Sequence, residues 1–319
     1  MNTPDRPVCV LGLGLIGGSL LQAVVASGRP AWGWNRSASA VDLARADGYD
    51  VTTDITAALQ RAAADDALVV VAVPMFAVDT VLDAIAEHAP ACALTDVVSV
   101  KAEVAAAVAR HGLSARFVGG HPMAGTSESG WVAAEVDLFR NAVWVVTVDE
   151  GTDPHVWLTV AGLALACGSV VVPSRSEEHD RAVARVSHLP HVLAETLAAV
   201  GADGGELALR LAAGSFRDGT RVAGTAPALV SAMCDANAPA LVEALDDAID
   251  RLQRARTALS ATSSTEELVT AGHAARRDYD AQLQWWEITD VVVGAAGWLN
   301  EMWDAARSGG VVQRLPDSV

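Results

Sequence analysis

Gly12, Gly14 and Gly17 carry the spacing G-x-G-x-x-G inside Val8-Cys-Val-Leu-Gly-Leu-Gly-Leu-Ile-Gly-Gly-Ser19. Between a strand and a helix this spacing binds a dinucleotide. The first glycine permits the turn, the second lets a pyrophosphate approach the backbone, and the third lets the helix pack on the strand. The helix N-terminus then faces the phosphates. A glycine-rich turn without a ligand is the plainer alternative. The next strand should end in the residue that reads the adenosine ribose, where NAD sites use Asp or Glu. Here the chain reads Trp34-Asn35-Arg36-Ser37. An amide, a guanidinium and a hydroxyl suit a 2′-phosphate, so NADP is the expected cofactor and NAD the alternative. A solvated surface arginine is the plain reading of Arg36.

Three further strand ends carry distinctive residues: Val73-Pro74-Met75, Asp96-Val-Val-Ser99-Val-Lys101, and Gly119-Gly-His121-Pro-Met-Ala-Gly-Thr126. Ligands of open α/β sheets bind beyond the carboxyl ends of the strands. The residues expected at the cofactor are therefore Gly12, Gly14, Leu15, Ile16, Gly17, Asn35, Arg36, Ser37, Val73, Pro74, Ser99 and Lys101. Ser99 alone reads as a helix N-cap, and His121 alone as a structural histidine. Their joint placement on the cofactor's side favours a functional reading of both. Lys101 is the only lysine among 22 basic residues. Its place beside Ser99 suggests that an ammonium is wanted there, supporting Ser99 or the cofactor.

These residues need a scaffold that sets strand ends side by side. Apolar runs at 7–12, 31–35, 67–73, 93–98, 115–119, 142–148 and 169–172 alternate with helical patterns near 15–27, 37–47, 54–64, 76–88, 100–110 and 154–167. That alternation predicts a Rossmann-type, doubly wound parallel sheet over residues 1–173. Residues 174–284 carry helical periodicity and no convincing strand, with helices expected over 177–200, 203–214, 226–235, 238–260 and 264–283. A helical second domain of this kind commonly supplies a dimer interface and part of a substrate site. Residues 285–319 hold four of the nine tryptophans and read strand, turn, helix, strand.

Composition narrows the class. Acids outnumber bases 39 to 22, for a net charge of −17, which argues against nucleic acid or an anionic membrane as partner. Cys9, Cys92, Cys167 and Cys234 are widely spaced and form no framework, as expected of free thiols in a reducing cytoplasm. The uncharged runs 8–28 and 156–174 are broken by glycines and by Pro173, so neither reads as a membrane span. No metal site is expected. His179, His188 and His191 lack a close acidic ligand, and Pro190 separates the last two.

Taken in order, the glycine turn, Asp-Val-x-Ser-Val-Lys, Gly-Gly-His-Pro-Met-Ala-Gly-Thr, Ser-His-Leu-Pro-His and Phe-Arg-Asp-x-Thr-Arg resemble the prephenate/arogenate (cyclohexadienyl) dehydrogenases of tyrosine biosynthesis across residues 7–283. The resemblance implies oxidative decarboxylation of a small-molecule substrate by a homodimer. In it His121 matches the catalytic histidine, Ser99 the serine that orients it, and Arg221 the arginine that holds a substrate carboxylate, a task suited to a bidentate guanidinium. Arg217 adds charge, His191 matches a substrate-contacting histidine, and His179 one that reaches a neighbouring subunit's site. Thr126 and Ser127 fall near the end of the substrate side chain. The chain departs from the family there, with Glu128 one place late, and again at Ala226-Pro227. The departures leave prephenate and arogenate both open.

The tail resembles the first half of a regulatory ACT domain, which implies a truncated remnant and tyrosine as an effector; a docking tail is the plainer alternative. Two other functions compete. A β-hydroxyacid dehydrogenase would place a lysine early in the second domain, and no lysine follows position 101. A non-catalytic nicotinamide-binding dimer would not need Ser99, His121 and Arg221 together.

Overall fold

The computed structural model describes residues 6–126, 128–281 and 285–318. In chain order it runs β1 (Val8–Leu11), α1 (Leu15–Ala26), β2 (Ala31–Trp34), α2 (Ala38–Ala46), β3 (Val51–Thr52), α3 (Ile55–Ala64), β4 (Leu68–Val71), α4 (Val78–His88), β5 (Leu94–Asp96) and α5 (Ala102–Arg110). There follow β6 (Gly120–Pro122), β7 (Val143–Thr147), α6 (Pro154–Ala166), β8 (Val170–Ser174) and α7 (Ser176–Val183). A π-helical turn, Ala184–His188, leads into α8 (Leu189–Asp203), α9 (Gly205–Leu211), α10 (Gly214–Thr220), α11 (Pro227–Ala236), α12 (Ala238–Thr262), α13 (Glu266–Ala281) and α14 (Trp298–Arg307).

Contacts divide the chain into two compact units. The first holds Met1–Asp180, Thr225–Ala236 and Glu287–Val319, and the second holds Arg181–Gly224 and Asn237–Trp286. The division falls within α7 rather than at residue 173, because the first part of α7 is bonded into the first unit.

In the first unit the strands order as β3-β2-β1-β4-β5, all parallel. Alternation along a strand sends successive side chains to opposite faces. Val8 and Val10 of β1 enter one apolar cluster while Cys9 and Leu11 enter the other, and Leu68 and Val70 divide from Val69 and Val71 in the same way. This is why these strands are apolar throughout. Asp54 caps α3 at the Ala57 amide, and Asp153 caps α6 with Pro154 in its first turn.

The strand expected over 115–119 is displaced. Phe117 makes a single bridge to Leu94, and the ladder forms one step later, where β6 pairs antiparallel with β7 and His121 faces Val145. The short β3, with only two paired residues, leaves no periodic signal in the sequence.

The tail packs on β8 and α6. Val312 bridges Val171, and Trp298 meets Trp157 edge-on at 5.8 Å, a geometry worth about 0.5–1.5 kcal/mol beyond the area buried. Ile288, Val291, Val293 and Met302 join the same core. Helix α11 also belongs to this unit, lying against the 3₁₀ turn Met75–Ala77. Among the described residues no single helix is long and apolar enough to cross a membrane.

The second unit is helical. Helix α8 packs against α10 and the 3₁₀ turn Arg221–Gly224, and α12 leaves Ile249, Leu252 and Leu259 exposed.

Candidate active site

The glycine turn has the three geometries that dinucleotide binding requires. Gly12 adopts φ +113°, and a Cβ there would lie 2.4 Å from the Ala72 carbonyl oxygen. A Cβ on Gly17 would lie 1.9 Å from the Gly12 carbonyl oxygen, so the helix approaches the turn as only glycine allows. A Cβ on Gly14 would meet nothing within 4 Å. The backbone there faces open space that a pyrophosphate can approach, above the first turn of α1 with Leu15 and Ile16. The residues present fit a dinucleotide. Val73 lies beside Gly12 from the end of β4, with Pro74 following it.

Past β2, the Asn35 Oδ1 accepts from the Leu13 amide at 3.4 Å, so this side chain also braces the turn. Ser37 caps α2, its hydroxyl accepting from the Ala40 amide. Arg36 is exposed, and no ion pair to it is seen among the described residues.

Past β5, the lone lysine is buried. Lys101 is 1% exposed and its ammonium bonds the Asp96 carboxylate and, at 2.7 Å, the Gly120 carbonyl. Asp96 also accepts from the amides of Val98, at 3.0 Å, and Gly120, at 3.2 Å. Burial pushes Asp96 up and Lys101 down, each opposed by the other's charge. The expectation that Lys101 touches the cofactor is therefore corrected. Its sealed ammonium joins the end of β5 to β6, immediately before His121. Ser99 sits half-buried between these anchors. It is not the cap of α5 either, since the Asp180 carboxylate accepts from the Lys101 and Ala102 amides, both at 2.8 Å.

His121 is half-buried on β6, and its Nδ1 lies 2.8 Å from Nε2 of His179. The His179 Nδ1 lies 2.8 Å from the Asp180 Oδ1. At 3% exposure, with both ring nitrogens engaged, His179 cannot be a substrate contact. It stands behind His121 in the same chain. Burial lowers the His179 pKa despite the carboxylate beside it. Burial raises the Asp180 pKa, but hydrogen bonds from His179 and the two amides outweigh it and hold the carboxyl low. Asp180 was missed from sequence; the only signal was an acid beside a histidine on an acidic helix start.

In the second unit, His191 lies on α8 with Nδ1 buried and unpartnered among the described residues. Burial lowers its pKa, and the nearby Arg221 guanidinium acts in the same direction. Arg221 and Arg217 are exposed, Arg217 only 3.9 Å from Asp218. His188 is buried, and its Nδ1 accepts from the Asn237 amide nitrogen at 3.1 Å. Thr126, back in the first unit, is exposed and accepts from the Glu128 amide at 3.2 Å, while Ser127 lies outside the described residues. No group of three or more His, Cys, Asp or Glu among the described residues is arranged to hold a metal.

The strand order, the glycine turn and the residues at the strand ends define a nicotinamide-dinucleotide oxidoreductase. Residues 31–173 match the family model "Prephenate dehydrogenase, nucleotide-binding domain", and residues 175–271 match "Prephenate dehydrogenase, dimerization domain". The chain is 34% identical to the cyclohexadienyl dehydrogenase of Zymomonas mobilis over 271 residues, 81% of this chain and 90% of that one. A solved Corynebacterium glutamicum structure bearing a provisional prephenate dehydrogenase name superposes with TM-score 0.91 at 49% identity, covering 98% of this chain and 99% of that one. An Aquifex aeolicus prephenate dehydrogenase, solved with hydroxyphenyl propionate and NAD+, gives TM-score 0.78 at 25% identity over 86% of this chain and 98% of its own. The chain belongs to the prephenate dehydrogenase family.

Proposed function

We propose that the chain oxidatively decarboxylates prephenate or arogenate with NADP, yielding 4-hydroxyphenylpyruvate or tyrosine for L-tyrosine biosynthesis. The carrying observation is that Lys101 and Asp96 clamp Gly120 beside His121, which holds the imidazole at the strand-end edge that also bears the glycine turn and Ser99. When bound, the nicotinamide accepts hydride from the ring carbon bearing the hydroxyl. His121 takes the hydroxyl proton as the C=O bond forms, the work of a neutral imidazole. Ser99 orients that hydroxyl. Loss of the ring carboxylate as carbon dioxide pushes electrons into the ring and onto that oxygen, and His121 returns the proton to the phenol. No net proton is released. In the second unit, Arg221 and Arg217 are assigned to a substrate carboxylate and His191 to a substrate polar group, supported by the buried, unpartnered Nδ1 of His191.

NADP over NAD is supported by Arg36 and by the absence of an acid at the end of β2. A homodimer is supported by the dimerisation-domain match and the exposed apolar residues of α12. A cytoplasmic location and tyrosine as an effector complete the proposal; the effector reading rests on the tail's resemblance to half of an ACT domain.

Following reduced-nicotinamide absorbance with prephenate and arogenate, each paired with NAD and NADP, tests the reaction. Turnover is expected in at least one pair and its loss in His121→Asn with cofactor affinity retained; no turnover in any pair overturns it.

A further inference from the structure

We propose that Asp180 and His179 are positioning residues that hold His121 in the tautomer bearing hydrogen on Nδ1, so that Nε2 presents the lone pair. This rests on His121 being the base. The far end of the relay is anchored by Asp180. Asp180 Oδ1 faces the Lys101 amide and His179 Nδ1, and its Oδ2 faces the Ala102 amide, each at 2.8 Å. Two obligatory amide donors at 2.8 Å favour the ionised form, and they help hold the Asp180 carboxyl low, so it is present as a carboxylate. An ionised carboxylate has no hydrogen to give, so the hydrogen between Asp180 and His179 belongs to His179 Nδ1. In neutral His179 the other nitrogen, Nε2, is then an acceptor. The hydrogen on the 2.8 Å line to His121 must come from His121 Nδ1. That assignment leaves the lone pair of neutral His121 on Nε2, where a base needs it.

A change of protonation at His179 would undo the relay. A proton gained by His179 Nε2 would turn it into a donor, force His121 Nδ1 to accept, and move the His121 hydrogen to Nε2. The surroundings oppose that gain. His179 is buried, and burial outweighs the pull of Asp180. The charged groups acting on His179 are Asp180 beside it and Lys101 and Asp96 at the end of β5, with Asp149 acting in turn on Lys101. Glu178 is bound to the Trp303 indole and lies 3.5 Å from Arg307, so the tail helix steadies the turn of α7 that carries the relay. When His121 takes a proton, its Nδ1 hydrogen keeps the same acceptor, and no side chain has to turn.

The test is a long-range proton–nitrogen correlation spectrum of the full chain labelled with 15N-histidine, assigned from His121→Asn and His179→Phe. Hydrogen on Nδ1 of both His121 and His179 near neutral pH is the expected result. Hydrogen on Nε2 of either ring in the neutral state overturns the proposal. In kinetics, His179→Phe should lower kcat by about 100-fold or more with KM little changed; a wrong tautomer in a catalytic triad costs as much as about 10⁴. His179→Gln, which keeps an acceptor for His121, should recover part of that loss. Wild-type kcat in folded His179→Phe overturns the relay. The expected tautomers in a chain that turns over none of the four pairs support the relay and overturn the catalytic reading instead.

Discussion

The carboxylate of Asp180 caps the helix that begins at Ala102, across 78 residues of sequence, accepting the Ala102 amide at 2.8 Å. A helix leaves its first amides unpaired, and a side chain from elsewhere satisfies them as well as a local cap does. Asp180→Ala should therefore cost about 1–3 kcal/mol in urea unfolding, since it strands buried amides. Asp180→Asn, which keeps acceptor capacity at one oxygen, should cost less. Equal stability for Asp180→Ala and the wild type would contradict the capping role.

Lys101 and Asp96 make the sharpest stability prediction. Lys101→Met leaves a buried carboxylate without its cation and should cost about 3–5 kcal/mol. Removing both charges with Lys101→Met and Asp96→Asn should restore part of that loss, because the charge desolvation cost vanishes while an amide oxygen remains to accept from Val98 or Gly120. Lys101→Arg should also lower Tm, because a bulkier guanidinium would have to replace an ammonium whose side chain is 0% exposed. A double variant no more stable than Lys101→Met would refute the pairing argument.

Gly14 and Gly17 should separate binding from folding. Gly14→Ala adds a methyl to open space, so Tm should hold while dinucleotide affinity, followed by fluorescence titration, falls at least several-fold. Gly17→Ala places a methyl against the Gly12 carbonyl and should lower Tm outright. The reverse pattern would deny the turn its proposed role.

Cofactor choice is tested at one side chain. Arg36→Ala should lower the NADP-to-NAD ratio of kcat/KM by about tenfold or more, the scale of one charge-assisted contact. A ratio that does not move would make Arg36 a solvated arginine.

The pH dependence of stability follows from His179. Its folded pKa lies below that of the unfolded chain, so the folded state resists protonation. Stability from this group is full above the unfolded value, about 6.5, and is lost as pH falls through the lower folded value. In urea melts between neutral and mildly acid pH, His179→Phe should lose less stability on acidification than the wild type. Parallel curves would deny the burial of a neutral ring.

Much of the first unit was legible because apolar strands and glycine spacing are local signals. The β1–turn–α1 segment and the boundaries of α1, α4 and α6 are within two residues of expectation. What could not be read is long-range pairing. Nothing near Lys101 announces that its amide is capped by Asp180 or that its ammonium spans to Gly120. The periodicity of α11 shows an apolar face without showing which partner it meets. His179 is visible as a histidine in the sequence, but its role depends on a neighbour 58 positions away.

The docked tail has a consequence for the order of events during synthesis. The nucleotide-binding unit is assembled from three stretches of chain, the last beginning at Glu287. Until residues through Val312 have left the ribosome, β8 lacks its Val312 bridge and Trp157 lacks its Trp298 partner. The first half of the chain to emerge is thus the part that must wait longest to close its core, with apolar surface on α6 uncovered meanwhile. A slow or interrupted passage through α14 would leave the earliest-made face still bare.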